Sequence, residues 1–152
     1  MEVLAKDKVK MVFVGDPSVG KTCLIKTYVE KKFPDNVPVS LYDVYEAKCT
    51  VGQSQVSLEI NDTAGQYDMQ HVRQIAFNGC DVCVVCFSMN SRNTLNSVPV
   101  QWIDEITSGV GKSIPRILVG CKSDDKIISD SEIEDVRESY GFLYAVQCSA
   151  QL

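Results

Sequence analysis

The segment Gly15-Asp-Pro-Ser-Val-Gly-Lys-Thr22 constrains this chain more than any other. It matches the pattern G-x-x-x-x-G-K-[ST], follows an apolar run and opens a stretch with helical periodicity, which is the context that this phosphate-binding loop requires. Its glycines let backbone N–H groups approach a polyphosphate, Lys21 adds a full charge at the β- and γ-phosphates, and Thr22 offers a hydroxyl to Mg²⁺. The loop predicts a nucleotide site without choosing the base, because ATPases, kinases and GTPases share it.

Apolar, strand-like runs alternate with amphipathic helical stretches along the rest of the chain. Six strands are predicted, over Lys8–Val14, Val44–Val51, Gln55–Ile60, Asp81–Ser88, Arg116–Gly120 and Phe142–Cys148. Helices are predicted over Lys21–Lys31, Met69–Ala76, Thr94–Ser108 and Ser131–Tyr140, the last capped by Asp130 or Ser131 and ended by Gly141. The alternation predicts an α/β, P-loop NTPase fold: a mostly parallel six-stranded sheet with helices on both faces and ligands at the carboxyl ends of the strands.

The length and charge of the chain exclude several classes of protein. Its 152 residues predict one domain, 1–152, and the formal net charge of −5 argues against nucleic-acid binding, which needs a broad basic surface. The polar segment Met1–Lys8 lacks the apolar core of a signal peptide, and no run approaches the roughly 18 apolar residues of a membrane span. A cytoplasmic location is therefore expected.

The seven cysteines lie mostly in apolar runs and are interpreted as reduced, buried side chains. Cys80, Cys83 and Cys86 form a C-x₂-C-x₂-C series that is similar to part of an iron–sulfur ligand set. Side chains alternate along a strand, so Cys80 and Cys86 are expected on one face and Cys83 on the other. This predicts a buried strand rather than a metal site.

Three further segments follow predicted strands. They are Asp62-Thr-Ala-Gly-Gln66, Cys121-Lys-Ser-Asp124 and Ser149-Ala-Gln151. Together with the phosphate loop, their order and spacing resemble the Ras superfamily of small GTPases over essentially the whole chain. The resemblance implies that Asp62 supports the Mg²⁺ shell, the N–H of Gly65 contacts the γ-phosphate and Gln66 orients the attacking water.

The resemblance also implies a guanine site. Asp124 would accept two hydrogen bonds from guanine, from its ring N–H and its amino group, while the stem of Lys122 lies over the ring and the N–H of Ala150 meets the carbonyl oxygen. Cys121 replaces the Asn or Thr common in the family, which removes about one hydrogen bond, roughly 0.5–1.5 kcal/mol. Gln151 replaces the usual lysine.

The segment from Phe33 to Tyr45 resembles the first switch loop of Rho-type GTPases. Phe33 is expected to stack on the base, and Ser40 takes the place of a threonine that binds Mg²⁺ and the γ-phosphate. The Rho branch is also indicated by Cys80–Ser88, by Pro99-Val-Gln-Trp102 and by Leu118–Asp124.

Three departures from the Rho pattern are visible. The chain has only residues 125–130 where Rho proteins carry an insert helix, and Pro17 occupies a position usually held by a small residue facing the γ-phosphate. Because the chain stops at Leu152, before the family's final helix and prenylated cysteine, the domain is interpreted as truncated after its last strand. Membrane association is expected only through a C-terminal tail absent from this chain.

The implied site is therefore extensive. Catalytic roles fall to Lys21, Gly65 and Gln66, and metal binding to Thr22, Ser40 and Asp62. Nucleotide contacts fall to Gly15, Pro17, Ser18, Val19, Gly20, Lys21, Thr22, Cys23, Phe33, Ser40, Gly65, Cys121, Lys122, Asp124, Ser149, Ala150 and Gln151.

The leading hypothesis is a GTP-hydrolysing switch that presents residues 34–45 and 66–76 to effectors, exchange factors and GTPase-activating proteins. Pro17 and Ser40 motivate an alternative, a GTP-bound scaffold with little hydrolysis, which the retained Gln66 disfavours. An ATP-using enzyme is a third reading, disfavoured by Asp124. The single histidine, His71, is assigned no catalytic role.

Overall fold

The computed structural model of the protein describes residues 7–35 and 41–151. Its strands are β1 (Lys8–Gly15), β2 (Tyr42–Val51), β3 (Ser54–Thr63), β4 (Val82–Ser88), β5 (Arg116–Cys121) and β6 (Tyr144–Gln147). Its α-helices are α1 (Lys21–Glu30), α2 (Gln70–Ala76), α3 (Arg92–Ser97), α4 (Ile103–Val110) and α5 (Asp130–Ser139). Short 3₁₀ turns cover Tyr67–Met69 and Ser123–Asp125, and a π-helical turn, Val98–Trp102, joins α3 to α4.

The strands form one six-stranded sheet in the order β2-β3-β1-β4-β5-β6. Only the hairpin pair β2–β3 is antiparallel, and the pairs β3–β1, β1–β4, β4–β5 and β5–β6 are all parallel. The central strands are apolar on both faces, as parallel strands covered by helices on each side must be. The predicted fold class, a mostly parallel six-stranded α/β sheet, is confirmed.

Each face of the sheet has its own apolar core. On one face Phe87 and Leu118 of the sheet pack with Phe77, Trp102 and Ile133 from the helices after β3. On the other face α1 covers the sheet, and Ile25 belongs to the same core cluster as Phe13, Ile60 and Val119. Because buried apolar area is the main favourable term in folding, these two layers fix the edge of the sheet at which the polar motifs meet.

The expected alternation of the three cysteines is correct within β4 and wrong for Cys80. Cys83 lies in the core that contains Phe77, whereas Cys86 lies in the core under α1. Cys80, however, precedes the strand, which begins at Val82, and its sulfur lies 3.6 Å from that of Cys83. No cluster of three or more His, Cys, Asp or Glu side chains suited to a metal ion occurs in the described ranges.

Two predicted helix features also differ. Ser129, not Asp130 or Ser131, caps α5, because its hydroxyl accepts from the N–H of Glu132 while the Glu132 carboxylate accepts from the N–H of Ser129. The helix predicted over Thr94–Ser108 starts at Arg92 and contains the π-helical turn at its centre. Within residues 7–35 and 41–151, none of the helices has both the length and the apolar character needed to span a bilayer.

Candidate nucleotide site

The predicted motifs all lie at one edge of the sheet. The phosphate loop follows β1, Asp62 is the second-last residue of β3 with Gly65 just beyond the strand, Cys121 ends β5, and Ser149 follows β6. Since the carboxyl ends of neighbouring parallel strands point the same way, the topology alone collects these segments into one site.

The phosphate loop is shaped to leave backbone donors free. Gly20 is the N-cap of α1, at φ 114° and without a side-chain cap, and Ser18 is also left-handed, at φ 63°. The first N–H groups of α1 therefore have no intrahelical or capping partner, which makes the helix start an anion site. Lys21 is 6% exposed and donates its ammonium to the carbonyls of Gly15 and Asp16, at 2.9 Å each. Burial lowers the pKa of Lys21, partly offset by the charge of Asp62.

Thr22 and Asp62 face each other across the loop. The Thr22 hydroxyl donates to Oδ2 of Asp62 at 2.5 Å, and Asp62 is fully buried. Its other oxygen, Oδ1, has no hydrogen-bond partner within residues 7–35 and 41–151, and burial raises the pKa of this carboxyl. An orphaned carboxylate oxygen beside a hydroxyl is the donor chemistry that Mg²⁺ accepts, so these residues fit the metal that the resemblance implies.

Gly65 packs directly against the phosphate loop. A Cβ at this position would overlap the backbone of Gly15, Asp16 and Pro17, with the Asp16 carbonyl carbon at 2.6 Å. No other residue fits this contact without moving one loop. The adjacent Gln66 is half-buried, and its side-chain Oε1 has no partner among the described residues.

A buried network that sequence reasoning missed fixes these two loops to the helices. Arg73 is fully buried and donates to the carbonyls of Ala64 and Gln66, at 2.7 Å each. It also makes a two-pronged ion pair with Glu105, at 2.7 and 2.8 Å. The guanidinium therefore joins α2, α4 and the segment that follows Asp62.

Trp102 extends this network to the phosphate loop. Its ring lies 4.9 Å from the Arg73 guanidinium, and its indole N–H donates to Oδ1 of Asp16 at 2.9 Å. From the sequence, Trp102 was named only as part of the Rho-like segment Pro99–Trp102. The available signal was Glu105, a charged residue three positions after Trp102 and therefore on the same helical face as that buried aromatic ring.

The remaining motifs form an open pocket beside the phosphate loop. Its lining is Gly20, Cys23, Leu24, Phe33, Asn90, Cys121, Lys122, Asp124, Asp125, Cys148, Ser149, Ala150 and Gln151. Asp124 accepts a hydrogen bond from the Ser149 hydroxyl at 2.6 Å, and Lys122 donates to the Ser18 carbonyl at 2.7 Å. Phe33 is 43% exposed at the rim, where a flat ring can stack on it. Asn90 and Asp125 are pocket residues that sequence reasoning did not assign.

The other predicted site residues divide into three groups. Val19 is buried under the loop, and Cys121 is 4% exposed beneath Gly20, where a Cβ on that glycine would lie 3.2 Å from the Cys121 Cβ. Pro17 and Ser18 are exposed. Ser40 lies outside the described residues.

Comparison with known proteins agrees with this geometry. The model of the Ras family matches residues 10–152. The Rho-related GTP-binding protein RhoF of Mus musculus is 33% identical over 120 residues, which is 79% of this chain and 56% of that protein. The GTP-binding protein RHO1 of Eremothecium gossypii is 31% identical, over 93% of this chain and 75% of that protein. The Rho-related protein racC of Entamoeba histolytica is 30% identical, over 94% and 81%.

The chain thus spans little more than half the length of the RhoF proteins that it matches. Its phosphate loop, its Asp62–Gln66 segment and its six-stranded sheet, apart from the first two residues of β1, nevertheless lie in the part that the family model covers. The chain belongs to the Ras family of small GTPases, and its relatives are Rho-related.

Proposed function

We propose that the protein is a switch that binds GTP, hydrolyses it to GDP and changes the arrangement of two loops when it does so. The observation that carries the proposal is the meeting of Lys21, Asp62, Gly65 and Asp124 along one edge of the sheet. The relatives' names, GTP-binding protein and Rho-related protein, support guanine as the base.

Binding divides between the two halves of the site. The free N–H groups of the phosphate loop and the Lys21 ammonium hold the β- and γ-phosphates. Asp124 accepts from the ring N–H and amino group of guanine, a pair of donors that adenine does not offer together. The Thr22 hydroxyl and the second oxygen of Asp62 would hold Mg²⁺, which would supply positive charge to offset that of the phosphates.

Hydrolysis requires a water placed in line with the γ-phosphate. Gln66 has the amide to orient it, and its unpartnered Oε1 is available as an acceptor. Gly65 contributes its N–H to the γ-phosphate, and Lys21 offsets charge in the transition state. Turnover is expected to be slow without an activating protein, because residues 34–45 contain no arginine that could act on the phosphate in cis.

The loops beside the γ-phosphate are the proposed partner surface. Residues 34–45 and 66–76 include the exposed apolar side chains of Leu41, Val44, Tyr67 and Ile75, which are 51–77% exposed. Exposed apolar groups next to a ligand-sensitive loop are typical of binding surfaces. Effectors, exchange factors and GTPase-activating proteins are the proposed partners, and a C-terminal tail would supply any membrane association.

A hydrolysis-impaired, GTP-bound scaffold is the second candidate. Pro17 favours it, since proline has no N–H to offer the γ-phosphate and lies where Gly65 meets the loop. The two candidates differ in a single quantity, the rate at which bound GTP becomes GDP.

Two measurements test the proposal. The first identifies the nucleotide that co-purifies with the protein in Mg²⁺ buffer, released by denaturation and separated by ion-exchange chromatography. GDP is expected. Intact GTP would favour the scaffold, and an adenine nucleotide would contradict the assignment of Asp124.

The second is single-turnover hydrolysis of GTP by the wild type and by Gln66→Ala. Loss of the water-orienting amide is expected to slow hydrolysis on the order of 100-fold while leaving GTP affinity within about threefold. Gln53→Ala, in the turn between β2 and β3, is the matched control. A wild-type rate for Gln66→Ala would remove Gln66 from the mechanism.

A further inference from the structure

Cys80 and Cys83 form a thiol pair that the nucleotide site does not use. They are the two ends of a C-x₂-C motif, and their sulfurs lie 3.6 Å apart, in hydrogen-bond contact. Cys83 is completely buried, whereas Cys80 is half-buried in the loop between α2 and β4. The pair lies at the amino end of β4, the edge of the sheet opposite the phosphate loop.

The backbone around the pair is held from several directions. The Cys80 N–H donates to the carbonyl of Phe77 at 3.0 Å, and the Cys83 N–H donates to that of Pro115 at 3.0 Å. Between them, the Asp81 N–H donates to the Lys10 carbonyl at 2.9 Å, and the Asp81 carboxylate accepts from the Lys10 N–H at 2.8 Å. These backbone hydrogen bonds fix the positions of Cys80 and Cys83, and the folded chain therefore holds their two sulfurs in contact.

The two thiols differ in acidity as well as exposure. The hydrogen bond from Cys83 lowers the pKa of Cys80, against the opposing effect of burial, and the charge of Lys10 lowers it further. The same contact, together with burial, raises the pKa of Cys83. A half-buried thiol with a lowered pKa in contact with a buried thiol with a raised pKa is the arrangement of an attacking and a resolving cysteine.

We propose that Cys80 and Cys83 are a redox-active dithiol that reduces small disulfides of low-molecular-weight thiols and closes to an intramolecular disulfide. In the first step the Cys80 thiolate attacks one sulfur of the disulfide RS–SR, forming Cys80–S–SR and releasing RS⁻. In the second step the Cys83 thiol loses its proton to RS⁻ and attacks the Cys80 sulfur. The Cys80–Cys83 bond forms, and the second RS⁻ leaves.

Disulfide formation fits this pair better than metal binding. Cys86, the third cysteine of the series, faces the opposite core, and the described residues contain no third His, Cys, Asp or Glu side chain placed to complete a metal site with the pair. Two sulfurs at 3.6 Å need a small side-chain rotation to reach bonding distance, and the half-buried loop position of Cys80 leaves room for it.

The test uses the full chain with bound guanine nucleotide, exposed to oxidised glutathione at neutral pH. At set times the remaining thiols are alkylated and the protein is digested and analysed by mass spectrometry. The expected product is a Cys80–Cys83 disulfide, formed at least about tenfold faster than the glutathione adduct at Cys49, a half-buried cysteine on β2. Retained nucleotide shows that the protein is folded and that oxidation has occurred away from the nucleotide pocket.

Variants separate the two roles. Cys83→Ser is expected to accumulate the glutathione adduct at Cys80, and Cys80→Ser to leave Cys83 unmodified. Cys83→Ala repeats the first measurement without burying a hydroxyl, and Cys49→Ser is the control that should react as the wild type does. Alkylation of Cys80 as a free thiol after Cys49 has reacted would overturn the proposal. A lasting glutathione adduct at Cys80 in the wild type would also overturn it, because Cys83 would then not resolve it.

Discussion

Lys21 and Asp62 are buried ionisable residues close to Thr22. The hydrogen bonds that the described residues make to them do not use the full bonding capacity of these two side chains. In the part of the chain that the structure describes, the Lys21 ammonium donates to two backbone carbonyls, and one oxygen of Asp62 has no hydrogen-bond partner. A buried charge that is not fully paired destabilises the folded protein. A bound phosphate chain would pair with Lys21 and a bound divalent cation with Asp62, which would offset this cost. These two residues are therefore better matched to a bound nucleotide than to an empty loop.

Asp124 is the residue on which base selection depends. Asp124→Ala removes two charge-assisted hydrogen bonds to guanine, each worth about 1.5–3 kcal/mol. We expect GDP affinity to fall by at least about 100-fold and the preference for GDP over ADP to disappear. Equilibrium titration with fluorescent guanine and adenine nucleotides measures both quantities.

Asp125→Ala is the matched control for this experiment, because Asp125 lines the same pocket and is bonded to Asn90. Its GDP affinity should stay within about tenfold of the wild type, because the side-chain hydrogen bond that is lost joins Asp125 to Asn90 and not to the base. If the two alanine variants lose guanine affinity equally, Asp124 is not the residue that reads the base.

At the scale of elements, the Arg73–Glu105 ion pair that joins α2 to α4 affects both the stability of the fold and the position of the segment after Asp62. The Arg73–Glu105 pair is 0% and 5% exposed, so removing one partner leaves an uncompensated buried charge. Glu105→Leu should destabilise the protein by about 3–5 kcal/mol. The double variant Arg73→Met/Glu105→Leu should be more stable than Glu105→Leu, because neither charge remains.

The double variant separates folding from catalysis. Although its stability recovers, the carbonyls of Ala64 and Gln66 lack their Arg73 donor, so single-turnover hydrolysis should remain about tenfold or more below the wild type. Urea denaturation and single-turnover kinetics measure the two effects. Lys8→Met, which breaks the exposed Lys8–Glu59 pair, should change stability by about 1 kcal/mol at most. Wild-type hydrolysis by the double variant would show that Arg73 does not position the loop.

Helix α5 provides a pH-dependent prediction. Hydrogen bonds from Arg92 and from the N–H of Ser129 lower the pKa of Glu132 to about 2. A carboxyl with a lowered folded-state pKa stabilises the protein above its ordinary pKa, and this contribution disappears as the pH falls towards 2. Glu132→Gln should therefore lose less stability than the wild type between about pH 5 and pH 2.

Thermal unfolding at a series of pH values tests this prediction. Glu138→Gln removes a carboxyl from the same helix without touching the cap and is the control. Parallel pH profiles for Glu132→Gln and the wild type would contradict the assigned role of the capping box.

Sequence patterns predicted most elements, because buried parallel strands are apolar runs and the loops that follow them carry distinctive motifs. The patterns failed where tertiary contacts satisfy polar groups. Strand β3 continues past Ile60 to Thr63, since Asn61 is bonded to Tyr42 and the Thr63 hydroxyl to the Phe13 carbonyl. The contact between Cys80 and Cys83, like the Arg73–Glu105 pair, depends on loop and helix placement that no local pattern reports.

At the scale of the whole molecule, ligand binding and stability should be linked. Mg²⁺ and GDP at 100 times the dissociation constant add about 2.7 kcal/mol, which corresponds to a rise in Tm of roughly 5–11 °C for a chain of this size. Removing Mg²⁺ with a chelator should reverse part of that rise, because the free oxygen of Asp62 loses its partner. Fluorescence of Trp102, the single tryptophan, can follow the unfolding.

ADP with Mg²⁺ is the matched ligand control and should raise the Tm by a small fraction of the GDP effect. An equal rise with ADP would favour an ATP-using protein. No rise with either nucleotide would contradict the proposed site.

The strand order has a consequence for synthesis on the ribosome. Among the described strands, β2 and β3 are the pair joined by a short turn and can pair as soon as they are made, whereas β1 must wait for β3 and then β4 as its neighbours. At 5–20 residues per second, roughly 6 to 27 seconds separate the emergence of the phosphate loop from that of Ser149. During that interval the nascent chain has the phosphate-binding half of the site without the complete base pocket. Bound nucleotide can therefore stabilise the fold fully only after Ser149 has emerged.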